Sequence, residues 1–245
     1  MPLVAWLSNR GTFGLDNATL SARYPTPLVA AGYAFSIWGP IFLLDLAYAV
    51  QQLRTADERR TRAPAALAFL LTSTWMIVFS REWFWVSLGV IVASLVALLV
   101  AALRLSGPGK PTSEPAGARV PWLPWLALSL QAGWVSLAAF LNLAQVLVAA
   151  RLVDTGVMLG WSLPLFVACA VLLFWANARM RGNAAYAGAA LWGFVGVYVG
   201  QSRSVLPGGE LAARIALMLG LALSLQTVWL YVRRSRRDAE LTTAA

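Results

Sequence analysis

Residues 33–48 read YAFSIWGPIFLLDLAY. Large apolar and aromatic side chains fill this run, one proline interrupts it, and a single carboxylate, Asp45, stands near its end. A segment this apolar reads as a helix placed in hydrocarbon. There an ionised aspartate facing lipid at mid-depth costs about 2.5–3.5 kcal/mol, so Asp45 is expected to turn inward. On a 3.6-residue period Trp38, Phe42, Asp45 and Tyr48 or Ala49 fall along one stripe, which puts the acid on the same face as aromatic rings. Three roles stay open for it there: a protonated structural acid, an acceptor from hydroxyls or indoles, or a contact for a cationic or polar ligand group.

The rest of the chain has the same character. Of 245 residues, 60% are hydrophobic and 12% charged, against about 25% charged in a typical soluble domain. The net charge of +9 does not indicate a nucleic-acid partner, because the cations punctuate apolar runs as topology charges do. The chain has no histidine, which removes histidine-ligated haem, histidine zinc sites and histidine acid–base catalysis. Its single lysine, Lys110, lies in the polar stretch SGPGKPTSEP, so a retinal Schiff base within a helix is excluded. Cys169, inside LFVACAVLLF, behaves as a small hydrophobe. The amino terminus, MPLVAWLSNRG, has neither the basic leader nor the apolar length of a signal peptide.

A hydrocarbon core about 30 Å thick needs about 20 apolar residues in a helix. Seven stretches qualify: 29–52, 64–80, 83–105, 122–149, 160–178, 184–202 and 211–232. The expected architecture is therefore all-α, a polytopic transmembrane bundle of about seven spans. SREW (80–83) leaves a tight hairpin between the second and third, and the proline- and glycine-rich SGPGKPTSEPAGARVP (106–121) reads as a loop. With the amino terminus outside, thirteen basic residues fall on the inner side and six on the outer. That bias predicts a cytoplasmic carboxyl terminus in a bacterial inner membrane.

Among the tryptophans, Trp83, Trp85, Trp122, Trp125, Trp161 and Trp229 lie near predicted helix ends, where interfacial anchoring explains them. Trp38, Trp75, Trp134 and Trp192 lie deeper, as bundle packing or as the lining for a flat apolar ligand. The fourth stretch carries Gln131, Ser136, Asn142 and Gln145, which need interhelical partners or a polar cavity wall to face. In the sixth, Ala185, Ala189, Gly193, Gly196 and Gly200 recur at spacings of three and four, a close-packing face that also suits a subunit contact. No Ser–His or Cys–His set, phosphate-cradling glycine motif or metal-ligand cluster is present.

Two of these segments carry a family resemblance. WVSLAAFLN, from Trp134 to Asn142, resembles the W-V-S-F-A-x-x-L-N segment in the last helix of the tryptophan-rich sensory protein family, TspO, known in mitochondria as the translocator protein. AAGYAFSIWGPIF, from Ala30 to Phe42, resembles the family's P-P-G-W-V-F-G-P-V-W-T, and more closely the P-A-G-Y-A-F-S-I-W-G of a longer subgroup. The resemblance covers about residues 21–150. It departs at Ala30, where the family has proline, and at Thr72, where it has asparagine. The family's first helix precedes the long loop, and only MPLVAWL stands there in this sequence.

The resemblance divides the chain into an outer-face segment (1–28), a TspO-like four-helix core (29–150), three additional spans (151–232) and a basic tail (233–245). It implies a membrane protein that binds tetrapyrroles such as protoporphyrin. Residue by residue, Tyr33, Phe35, Trp38 and Trp134 become the wall of a pocket, with Asn142 as its polar contact. Phe42 and Trp75 join them as neighbouring aromatics, and Asp45 as this chain's own acid. The expected function is an integral membrane binding or sensory protein, not an enzyme, holding a flat hydrophobic ligand in an aromatic intramembrane pocket. No cofactor is required beyond a bound tetrapyrrole or lipid. The expected partners are membrane lipid, a hydrophobic small molecule, and a second copy or another membrane protein. The rival readings are a secondary transporter that couples protons or cations through Asp45, and a membrane scaffold.

Overall fold

A computed structural model describes residues 2–54, 59–106 and 122–243. Among them every regular element is helical, as expected where backbone groups inside hydrocarbon must pair within their own segment. Two short helices come first, α1 (Pro2–Asn9) and α2 (Asn17–Arg23). Seven long ones follow: α3 (Trp38–Arg54), α4 (Arg59–Ser80), α5 (Phe84–Ser106), α6 (Trp122–Ala149), α7 (Met158–Arg179), α8 (Ala184–Ser202) and α9 (Gly209–Thr243). These match the seven predicted stretches. Six spans are long and apolar enough to cross a membrane by length and composition, counting α3 with the 3₁₀ turn Gly32–Ile37 that leads into it. The remaining long helix, α8, is diluted by glycines at 188, 193, 196 and 200.

Some boundaries move, each for a local reason. The first span opens as a 3₁₀ turn and becomes α-helical only at Trp38, so Pro40 falls in the first turn of α3, where its missing N–H is tolerated. The segment expected as an outer-face loop holds α1 and α2, and the Asp16 side chain caps α2 by accepting from the amides of Ala18 and Thr19. The basic tail continues α9 as far as Thr243. The loop predicted at 106–121, with Lys110, falls almost wholly outside the described residues. The SREW hairpin is tight as expected. Glu82 adopts the left-handed conformation (φ 58°), and the amides of Glu82 and Trp83 bond back to Phe79 and Val78.

α6 is the central helix: 72% of its span is buried inside the protein, against 17% for α9 at the periphery. It packs between α5 and α8 and meets α3 across its remaining face. Three of its polar residues, Gln131, Ser136 and Asn142, find interhelical partners. Gln131 donates to Thr72 Oγ1 at 3.3 Å, and Ser136 accepts from the Tyr186 hydroxyl at 2.9 Å. Thr72 in turn bonds Ser94 at 2.8 Å.

The small-residue face of α8, expected as close packing or a subunit contact, packs within the chain. Gly193 admits Leu137 and Trp134 of α6, and Gly196 admits Ala30 and Ala34. Residues 26–37 form a strap clamped onto α8. The Ala31 amide donates to Gly196 O at 2.9 Å, Gln201 Nε2 donates to the carbonyls of Thr26 and Val29 at 3.0 and 2.9 Å, and Trp192 Nε1 donates to Ala34 O at 2.9 Å. That strap carries Phe35 and delivers Trp38 into the bundle.

Candidate functional site

The strap and three helices bring the aromatic residues together. Trp38 stacks on Phe42 one turn later, with ring centroids 5.2 Å apart and planes 10° from parallel. Trp38 also meets Trp75 of α4 at 5.8 Å and Trp134 of α6 at 6.1 Å, the latter edge-on. Phe35 approaches Trp134 edge-on at 5.9 Å, and Trp75 stacks on Phe79 at 5.0 Å. These separations and angles are the ones aromatic quadrupoles favour. The rings of the two motif segments thus converge inside the bundle rather than facing lipid.

Two spaces adjoin this cluster. The inner one, between α3, α4 and α6, is a cleft of about 10 Å³ bordered by Trp38, Trp75, Trp134, Asn142 and Gln145, room for about one water. The outer one is a cavity of about 550 Å³. Trp38 and Phe35 border both, forming the wall between them. Phe42, Leu43, Leu46 and Met76 line the outer cavity, whose polar end is made by Asp16, Asn17 and Ser36. Leu43 and Leu46 are exposed, so on this side the cavity opens laterally.

Polar atoms around these spaces lack partners. Trp38 Nε1, Trp134 Nε1, Asn142 Nδ2 and Gln145 Nε2 are buried donors with no acceptor, and Asn17 Oδ1 is a buried acceptor with no donor. Each such group costs about 1–3 kcal/mol, a cost that a bound molecule or water offsets. The orientation of Asn142 is fixed by its other end. Its Oδ1 accepts from Trp75 Nε1 at 3.4 Å and Ser87 Oγ at 3.2 Å, which leaves the amide nitrogen as the free group.

A polar clasp ties the end of α2 to the α4–α5 hairpin. Arg23 pairs with Glu82 at 2.8 Å, and the Tyr24 hydroxyl donates to Glu82 Oε2 at 2.6 Å. That bond, reinforced by burial, raises the Tyr24 hydroxyl above its ordinary pKa. At Asp16, burial pushes upward, but the Thr19 hydroxyl and the amides of Thr19 and Ala18 outweigh it, so the carboxyl sits below the usual carboxylate range. At neutral pH Asp16, at the rim of the outer cavity, is therefore ionised. Gly14 (φ 140°) lies against the Ser80 carbonyl, where a Cβ would collide.

Of the eight predicted site residues, Phe35, Trp38, Phe42, Trp75, Trp134 and Asn142 line one or both spaces. Tyr33 does not: it is exposed and packs edge-on against Trp192 at 5.5 Å. Asp45 is buried, as its place on the stripe predicted, but lines neither space, and neither of its oxygens accepts a hydrogen bond. Sequence reasoning missed Asp16, Asn17, Gly39 and Met76. The Asp-x-x-Thr pattern at 16–19 marks a helix cap and was the available clue.

A family model described as TSPO-like protein matches residues 1–231. The match runs past residue 150 through α7, α8 and most of α9, consistent with the clamp that binds α8 to the aromatic strap. No curated protein and no solved structure matches the chain. The family match spans most of the chain, and the buried indoles of Trp38, Trp75 and Trp134 converge as its two motif segments require; the chain belongs to the TSPO-like family.

Proposed function

We propose that this chain is an integral membrane binding or sensory protein that holds a flat hydrophobic molecule, of which a tetrapyrrole is the first candidate. The observation that carries this reading is the 550 Å³ outer cavity, bordered by the stacked Trp38–Phe42 pair together with Phe35, Leu43, Leu46 and Met76. Cavities of this size and lining suit small hydrophobic ligands. The unpartnered donors behind Trp38 supply orientation if that ring shifts and the inner cleft widens. The reading is of binding without catalysis, in a bacterial inner membrane with the carboxyl terminus in the cytoplasm.

The transporter reading has less support, because Asp45 lines neither of these spaces. The test is titration of the purified chain with protoporphyrin, following tryptophan quenching in the wild type, Trp38→Ala and Trp134→Ala. Saturable quenching that weakens in both variants is the expected result. Quenching that does not saturate in the wild type refutes tetrapyrrole binding, and pH-gradient-driven uptake abolished by Asp45→Asn favours the transporter.

A further inference from the structure

The outer cavity is ordered from polar to apolar along its length. From Trp38 to Leu46, α3 descends eight residues, about 12 Å at 1.5 Å per residue, past Phe42 and Leu43. Above Trp38 the wall is made by α2, where Asp16 and Asn17 face the same space. Asn17 is 7% exposed, and its Oδ1 accepts no hydrogen bond. Asp16 Oδ1 accepts from two amides and Oδ2 from the Thr19 hydroxyl at 2.5 Å. Of the roughly four acceptor positions on a carboxylate, about one is left.

Among the described residues, no lysine or arginine lines this cavity. The arginines near this end bond to other groups: Arg10 lies over the ring of Trp6, itself a lining residue, at 4.0 Å, Arg23 pairs with Glu82, and Arg81 donates to the Phe13 carbonyl at 2.8 Å. The lining at the polar end offers acceptors, Asn17 Oδ1 and one position on the Asp16 carboxylate. A carboxylate on the ligand would meet only acceptors at Asp16 and Asn17 Oδ1, whereas an ammonium group would satisfy the orphaned amide oxygen and the remaining carboxylate position together.

We propose that the ligand of the outer cavity is a lipophilic amine, its flat body on the Trp38–Phe42 wall and its N–H group donating to Asn17 Oδ1 beside the Asp16 carboxylate. The inference rests on the reading that this cavity holds a flat apolar ligand, and it adds the polar end that the ligand carries.

Two probes with one flat body test it: 1-pyrenemethylamine and 1-pyreneacetic acid, each titrated into the full chain in neutral detergent and read by energy transfer from tryptophan. The amine is expected to bind at least about tenfold more tightly, the ratio that one charge-assisted hydrogen bond supplies. Asp16→Asn keeps a capping residue on α2 and is expected to reduce that preference to about threefold or less. Asn17→Leu is expected to weaken the amine about tenfold and leave the acid unchanged. Equal affinity for the two probes overturns the amine inference and leaves the flat-ligand reading standing, while saturable binding of neither overturns both. A preference that survives both substitutions comes from partitioning into detergent and also overturns the inference.

Discussion

Gly39 separates the stability of the fold from the function of the cavity. It lies in the first turn of α3 and borders the outer cavity, and a Cβ built on it meets no heavy atom within 4 Å. Gly39→Ala meets no neighbouring element and removes backbone freedom from the unfolded chain, but its Cβ faces the ring of the following Pro40 in a helical conformation, so the two effects offset and the net change should stay within about 1 kcal/mol. Gly39→Trp places an indole in the space where a flat ligand would lie. A ligand face burying about 150 Å² of apolar area there gains about 4 kcal/mol at about 25 cal/mol per Å². Losing all of it weakens binding about a thousandfold.

The assay pairs thermal unfolding in detergent with a protoporphyrin titration. Gly39→Ala should keep a midpoint close to the wild type and bind normally, and Gly39→Trp should stay folded and lose saturable binding. A folded Gly39→Trp that binds with undiminished affinity refutes the assignment of the ligand to this cavity.

Three further perturbations examine the supports of the site. Gln201→Leu strips the strap carbonyls of Thr26 and Val29 of their shared donor. It should cost about 1–3 kcal/mol, with faster amide hydrogen exchange at residues 26–37 as the local readout. Asp45→Leu removes two buried acceptors that have no partner. It should raise stability by about 1–3 kcal/mol and leave ligand binding intact, and a large loss of binding would return Asp45 to the site. The native pKa of Asp16 is lowered from its ordinary 3.8, so its contribution is full above that value and fades as pH falls through the lower native one. The acid-side decline of the thermal midpoint should therefore be shallower in Asp16→Asn than in the wild type.

The seven long helices were legible because hydrocarbon imposes both length and apolarity on whatever crosses it, and only one of them, α8, is too glycine-rich to qualify by apolarity. The aromatic convergence was legible too, since Trp38, Trp75 and Trp134 stand in segments too apolar for a surface. Other features depend on contacts that local periodicity does not encode. Trp192 looked like another deep indole, yet it is partly exposed and holds the Ala34 carbonyl from 158 residues away. Its pairing with Tyr33 turns that ring out of the site. Asp45 shares its stripe with Trp38 and Phe42, but at its depth the cavity is lined by Leu43 and Leu46 on the neighbouring face of α3, and Asp45 packs away from it. The polar rim came from a segment that read as loop, where only the cap pattern of Asp16 hinted at a helix.

The most direct measurement is an experimental structure of the full chain with a saturating flat ligand in a lipid environment. Ligand density should lie parallel to the Trp38–Phe42 pair, between Asn17 and Leu46, with its polar group within hydrogen-bond distance of Asn17 Oδ1. Density confined to the lipid-facing sides of α7 and α9, with the cavity beside Trp38 left empty, would contradict it.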